Sequence, residues 1–481
     1  MVMQESDSLV VSPEAGEPKP KGTRWREGVS GNKKLQGGKM PETLSSVNIS
    51  TRLEQIAKSA RGNPKRVFTS IGHVIDYDWM QEAYRRTRKD SAAGVDGQDA
   101  DGFTQNLEVN LRDLVKALQT GNYKAPPVRR VHIPKADGKL RPIGIPTFAD
   151  KVMQRAVVML LEAIYEVDFH PHSYGFRRKR SAHDALKEIQ KRPTYWQYCH
   201  VIEADIESFF DTIDHKHLRS FLDRRVRDGV IRRAIDKWLS AGVFEEGQIF
   251  SIQNGTPQGG VISPLLANIY LHEVLDSWFE RDVFPRIKRR AQLIRYADDF
   301  VLLFGWEEDA RKVYEVLPKR FGRYGLKLHP MKTQMVPFSS PFTRRGRKMK
   351  KKSGTFDFLG FTQYWAKSRN GNYIVKQTTS KTRFSRSLKR IREQCHKMMH
   401  DSLKQQQKIL TRMLQGHYNY FGITGNGDAL RNLRHEVDRI WGRALARRNK
   451  RRFAWQRFQP ILKLYPLPPA KTVHSICPSE F

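Results

Sequence analysis

Apolar positions along the chain recur in two periods. Helical spacing comes first. Trp79, Met80, Ala83 and Tyr84 mark a helix over 78–88, and Leu107, Leu111, Leu114 and Leu118 line one face of a predicted helix over 103–120. A strongly apolar helix follows over 150–165, and another over 181–191 opens on Ser181, a residue type whose hydroxyl caps helix N-termini. Period-two stretches are interleaved with these. Residues 129–135 and 140–146 read as the arms of a hairpin around the turn 136–139. Residues 201–206 read as a strand with a carboxylate at its end, Asp205. Helical pattern returns over 215–241, and over 264–279, where Leu265, Leu266, Ile269, Tyr270 and Leu275 form the apolar face. Residues 292–304 are apolar on both flanks of Asp298 and Asp299, the pattern of a hairpin with two acids at its turn. A helix over 310–324 stops at Gly325, an extended stretch over 326–336 follows, and 357–361 reads as a strand. The last third changes style. Long helices over 382–420 and 429–448 carry the stripes Leu410, Met413, Leu414, Tyr418 and Leu433, Val437, Ile440, Trp441. The pattern predicts an α+β body followed by a helical domain, with no internal repeat. Residues 1–60 are polar and rich in Gly, Ser, Pro, Lys and Glu, which predicts a mobile tail with order beginning near Val67.

Composition narrows the partners. The chain of 481 residues can hold several domains. It carries 86 Lys and Arg against 50 Asp and Glu, a net charge of 86 − 50 = +36. That excess predicts a large polyanion, with nucleic acid ahead of an anionic membrane surface, because no amphipathic anchor stands out. No apolar run approaches the length of a membrane span. The first residues include Glu5, Asp7, Glu14 and Glu17 and no apolar segment of signal-peptide type, so the expected location is the cytosol. Cys199, Cys395 and Cys477 lie far apart and form no C-x-x-C pair, which argues against a zinc knuckle or a disulfide framework. His132, His170, His172 and His417 suggest no metal site.

The acidic positions carry the candidate chemistry. An Asp pair at a turn is ordinary by itself, since its side chains bond local backbone. A second strand end, at Asp205, changes its meaning. A sheet can bring Asp205 beside Asp298 and Asp299, and three carboxylates make a hard-oxygen site suited to Mg²⁺. Two such ions roughly 3.5–4 Å apart activate a hydroxyl and stabilise a leaving pyrophosphate. Without metal the like charges repel and raise the carboxyl pKa values.

Eight blocks now stand in order: Gly94-Val95-Asp96-Gly97; Arg141-Pro142-Ile143-Gly144-Ile145-Pro146; Ser173-Tyr174-Gly175-Phe176-Arg177; Ala204-Asp205-Ile206 with Phe209-Phe210-Asp211; Thr256-Pro257-Gln258-Gly259-Gly260; Tyr296-Ala297-Asp298-Asp299; Gly325-Leu326-Lys327-Leu328; and Phe358-Leu359-Gly360-Phe361. In this order and spacing the chain resembles the reverse transcriptases encoded by bacterial group II introns, from about residue 70 to 450. Gly416 to Gly422 resembles the thumb, or maturase, region of that family. The resemblance implies a right-hand polymerase: an N-terminal extension and start of the fingers over 61–125, fingers and palm with an antiparallel sheet over 126–365, an α-helical thumb over 366–450, and a short basic tail over 451–481. It implies RNA-templated DNA synthesis with two Mg²⁺ ions, Mn²⁺ being a possible substitute. The implied partners are the group II intron RNA, an RNA template with DNA primer, dNTPs and target DNA. Binding of its own intron RNA for splicing and mobility comes from the resemblance alone.

The same resemblance gives roles to single residues. Asp205, Asp298 and Asp299 are the metal-binding catalytic carboxylates, Asp299 the more peripheral. Lys135 and Arg141 flank a fingers hairpin, where cations can fold over a triphosphate. Phe210 takes the position of a steric gate against a ribose 2′-hydroxyl. Its neighbour Phe209 is expected in the core, because successive side chains on an extended chain point oppositely. Gln258 belongs to the loop of the nucleotide pocket, though a plain helix-entry turn fits that sequence too. Lys332 is expected near the triphosphate or primer, a surface lysine being the alternative. Arg344, Arg345, Arg347, Lys348, Lys350, Lys351 and Lys352, seven basic residues in nine, are expected to face RNA; a charge run is otherwise a solvated face. Lys389, Arg390, Arg392 and the run 443–452 share that expectation as a distributed surface. No His-Asn-His constellation follows the thumb, so second-strand DNA cleavage is not expected. Two alternatives stay open: a free-standing reverse transcriptase serving defence or repair, and a non-catalytic RNA-binding splicing factor.

Overall fold

A computed structural model describes residues 41–134, 140–196, 198–245, 247–250, 255–256, 258–341, 353–368 and 370–475. Its strands are β1 (Val128–Pro134), β2 (Leu140–Ile145), β3 (His200–Ala204), β4 (Val243–Glu245), β5 (Gln248–Phe250), β6 (Ala291–Tyr296), β7 (Asp299–Phe304), β8 (Gln334–Pro337), β9 (Phe356–Phe358), β10 (Phe361–Lys367) and β11 (Tyr373–Thr379). The chain divides into two compact units, one of residues up to Asp168 with Asp223–Ile252 and Gly259–Ile262, the other of Phe169–Leu222, Gln253–Gln258 and Ser263 onward.

The first unit is organised around the helix Phe148–Tyr165, which buries Val152, Met153, Ala156, Val157, Leu160, Leu161 and Ile164. A helix apolar on nearly every side must be covered on every side. Thr147 starts it by accepting the backbone N–H of Asp150 at 3.2 Å. The helices Pro41–Gly62 and Tyr77–Arg86 both pack on it. The first of these corrects the expected tail over 1–60: residues 41–60 are helical, and Ile49 and Ala60 are buried. Their spacing with Leu53 and Ile56 is a helical stripe within a polar context. The predicted helix over 103–120 is two, Ala100–Thr104 and Leu107–Gln119. β1 and β2 form the expected hairpin, register Arg129↔Ile145 to Pro134↔Leu140, and β1 also pairs in parallel with β4.

The second unit holds an antiparallel sheet in the order β6-β7-β3-β8. Phe300, Leu302 and Phe304 alternate on one face of β7, and Phe300 stacks on Phe321 of helix Glu307–Gly322 at 5.7 Å. A three-stranded sheet, β11-β10-β9, follows. Here the predicted strand 357–361 is a hairpin: Leu359 and Gly360 are left-handed, φ 51° and 78°, and Phe358 pairs with Phe361. Of the stretch 326–336 only its end, from Gln334, is a strand. The predicted helix over 382–420 breaks into Lys381–Lys397 and Leu403–Phe421, the second capped by Ser402. The predicted stretch 215–241 likewise divides, into His215–Leu222 and Gly229–Leu239. Residues 451–475, expected as a basic tail, contain helix Trp455–Leu464, and beyond it His474 bridges to Ile423.

Candidate active site

β3 ends at Ala204, which pairs with Phe300, so the next residue, Asp205, comes opposite Asp299 at the start of β7. Tyr296 pairs with Asp299, which makes Ala297 and Asp298 the two central residues of the β6–β7 turn. Ala297 is left-handed at φ 56°. Asp205 and Asp298 are buried, 5% and 9% exposed. The two acidic strand ends recognised in the sequence are therefore neighbours in one sheet.

Their electrostatics follow from crowding. Burial raises the Asp299 carboxyl well above the usual carboxylate range, and Asp298, Asp205 and Glu203 push it further; Lys332 opposes them. The Lys332 ammonium lies 2.9 Å from Asp205 Oδ2, so it neutralises that carboxylate directly. Asp205 Oδ1 is buried with no hydrogen-bond partner among the described residues. A buried, unpartnered carboxylate oxygen is a costly arrangement unless a cation reaches it. Among the described residues no three acidic, histidine or cysteine side chains form a ready-made metal cage. The donor set nevertheless fits Mg²⁺: all hard oxygen, with one orphaned oxygen on Asp205 and a cation already drawn to the other.

Glu203 is a member that the sequence pattern alone did not single out. It lies two residues before Asp205, on the same face of β3, and accepts a hydrogen bond from Gln334 Nε2 at 3.0 Å. Burial lifts its carboxyl to about 7. The period-two rule applied backwards from Asp205 is the signal that points to it.

Phe210 differs from expectation in its surroundings. Phe209–Thr212 is a short helical turn entered through left-handed Ser208, so the two phenyl rings do not point oppositely. They lie 5.5 Å apart and both are buried, Phe209 at 3% and Phe210 at 9% exposure. The loop of the fifth sequence block is tied to this turn: Thr256 N–H donates to Phe210 O at 2.8 Å, and Gly255 N–H to Ile213 O at 2.8 Å. Gly255 must be glycine here, since its φ is +88° and a Cβ would stand 2.8 Å from Phe210 O. Gln258 follows in that loop, half-buried. Arg141 lies on β2 of the first unit, opposite Ile133. Lys135 and the run Arg344, Arg345, Arg347, Lys348, Lys350, Lys351, Lys352 lie outside the described residues.

Residues 133–363 match the family described as reverse transcriptase (RNA-dependent DNA polymerase). Protein YkfC of Escherichia coli K12 is 34% identical over 374 residues, 69% of this chain and 96% of that protein. The group II intron-encoded protein LtrA of Lactococcus lactis is 40% identical over 285 residues, 56% of this chain. The chain belongs to the group II intron reverse transcriptases. It spans about half of LtrA, 46% of its length. A yeast relative, the putative COX1/OXI3 intron 2 protein, is 37% identical over 172 residues, 35% of this chain and 20% of that protein. For a group II intron reverse transcriptase the matched stretch is the informative one, because residues 133–363 include Asp205, Asp298, Asp299, Phe210, Gln258 and Lys332. Among the described residues no helix is long and apolar enough to cross a membrane.

Proposed function

We propose that this group II intron reverse transcriptase copies RNA into DNA at the Asp205–Asp298–Asp299 cluster, and that it binds its own intron RNA to promote splicing and mobility. The observation that carries the polymerase reading is the meeting of Asp205 with the β6–β7 turn on adjacent antiparallel strands. In this reading the first unit supplies fingers, and the second supplies palm and thumb.

Asp205 and Asp298 would hold two Mg²⁺ ions, or Mn²⁺ in their place, with Asp299 peripheral. When bound, such ions lower the pKa of a primer 3′-hydroxyl and neutralise a departing pyrophosphate. The chain's own residues prepare the site. The β3–β7 pairing holds the carboxylates in register. Lys332 sets an ammonium 2.9 Å from Asp205 Oδ2. In the same reading Phe210 is the steric gate against a 2′-hydroxyl, and Gln258 belongs to the loop of the nucleotide pocket. The family resemblance assigns Lys135 and Arg141 to the triphosphate.

The test is single-nucleotide addition on a primed RNA template. Wild-type protein extends the primer, and Asp298→Asn lowers the rate at least 1000-fold with an unchanged melting curve. Extension by Asp298→Asn at near wild-type rate would remove the cluster from the chemistry. Intron-RNA binding tests the second role separately, and it should survive Asp298→Asn.

A further inference from the structure

Beneath the β6–β7 turn lies a polar group fully shut off from solvent. Arg295, on β6 three residues before Asp298, is 0% exposed, as is Asp276. The guanidinium donates Nε to Asp276 Oδ1 at 2.8 Å and Nη2 to Asp276 Oδ2 at 2.6 Å. Its remaining nitrogen, Nη1, donates twice: to Asn268 Oδ1 at 2.9 Å and to the carbonyl oxygen of Ala297 at 2.9 Å. Asn268, 1% exposed, then donates Nδ2 to the carbonyl oxygen of Gly175 at 2.8 Å. Burial alone would raise the Asp276 carboxyl, but Arg295, with help from His272, holds it well below the usual range, so the pair is ionic.

The group grips the turn from two sides. The Ser173–Gly175 segment runs along β6, with Arg295 N–H donating to His172 O at 2.9 Å and Tyr174 N–H donating to Arg295 O at 2.8 Å. Gly175 lies so close to the turn that a Cβ there would stand 2.3 Å from Ala297 N. Ala297 needs such a grip, because a non-glycine residue in the left-handed region holds its conformation only when its surroundings impose it. The residue it delivers is Asp298.

We infer that Asn268 and Arg295, anchored by Asp276, are positioning residues that clamp the Ala297 carbonyl and so set where the Asp298 carboxylate points. This rests on the polymerase reading of the aspartate cluster. A planar guanidinium can serve the bidentate carboxylate and the two carbonyl-type acceptors together; a lysine ammonium cannot. Asn268 is the cleaner probe, since its removal leaves the Asp276–Arg295 pair in place.

The experiment compares full-length wild type, Asn268→Ala, Arg295→Lys and Gln377→Ala. Gln377 is a control: an equally buried amide, 1% exposed, donating to Leu186 O at 2.8 Å and remote in sequence from the turn. For folded Asn268→Ala and Arg295→Lys, kcat for single-nucleotide addition falls at least tenfold. KM for dNTP and affinity for the primed template stay within threefold. Mn²⁺ binding, read by electron paramagnetic resonance without nucleic acid, weakens at least threefold. Gln377→Ala keeps wild-type kcat and Mn²⁺ affinity. The clamp is overturned if Asn268→Ala folds and retains kcat within twofold, or if Gln377→Ala loses as much. Should wild type itself add no nucleotide, the polymerase reading fails, and the Mn²⁺ measurement judges the clamp alone: unchanged affinity in Asn268→Ala overturns it.

Discussion

Asp150 shows how one residue can make stability depend on pH. Its carboxylate lies inside the first unit and accepts Trp238 Nε1 at 2.8 Å, Gln154 Nε2 at 3.0 Å and the Tyr123 hydroxyl. Burial outweighs these bonds and lifts its pKa to about 7, against roughly 3.9 in an unfolded chain. A carboxyl raised on folding is favourable while protonated. Its contribution is complete below about pH 4 and is lost as the pH rises toward 7. The Asn variant cannot ionise, so it lacks this loss. Asp150→Asn should therefore be less stable than wild type at pH 5, through its altered hydrogen bonding, with a deficit that shrinks by pH 8. Urea melts at the two pH values measure it; a constant deficit would mean that Asp150 carries the same charge folded and unfolded. Residues of this kind were hidden in the sequence. Asp298 and Asp299 announced themselves by interrupting an apolar hairpin, and Asp205 by ending an apolar strand. Asp150 and Arg295 look like ordinary polar positions until three-dimensional packing closes over them.

At the scale of elements, legibility followed apolar periodicity. The β6–β7 hairpin and the helix Phe148–Tyr165 were readable because each carries many apolar residues in one period. The helix Pro41–Gly62 and the segment after Arg452 were not: the first sets its stripe in a polar context, and the second mixes its apolar residues with basic residues and prolines that break any single period. The latter shows the physics well. Phe458 is 3% exposed and meets Trp441 edge-on at 5.6 Å, with Phe453 at 6.1 Å and Trp455 at 6.0 Å. Downstream, Gln407 Nε2 donates to Pro466 O at 3.0 Å and Arg434 Nε to Pro468 O at 3.1 Å. These contacts bind residues 453–474 to helices Leu403–Phe421 and Gly427–Arg448 as part of one core. Phe458→Ala should then cost about 3–5 kcal/mol, as for a buried aromatic. The measurement is thermal melting together with limited proteolysis, and cleavage should rise within 427–475. A destabilisation under about 1 kcal/mol, the scale of a surface change, would return this segment to the status of a tail.

For the whole molecule the governing number is the net charge of +36. Charge at that level acts through many weak interactions with phosphate, each releasing counterions, so affinity for RNA should fall linearly on a log–log salt plot. Lys389, Arg390 and Arg392 are exposed on helix Lys381–Lys397. If that face meets phosphate, Lys389→Ala, Arg390→Ala and Arg392→Ala together should weaken RNA binding and flatten the salt slope. The expected decrease is about 0.7 to 0.9 for each phosphate that is no longer neutralised, so roughly two to three for the triple variant. At saturating template the extension rate should hold, because none of the three belongs to the aspartate cluster. Filter binding of intron RNA across a salt series reads the slope, and primer extension reads the rate. An unchanged slope would show that this face is merely solvated and that the excess charge acts elsewhere. A collapsed extension rate with an unchanged slope would place the three residues in the chemistry instead. The two measurements separate RNA binding by this face from the chemistry proposed for the β6–β7 turn.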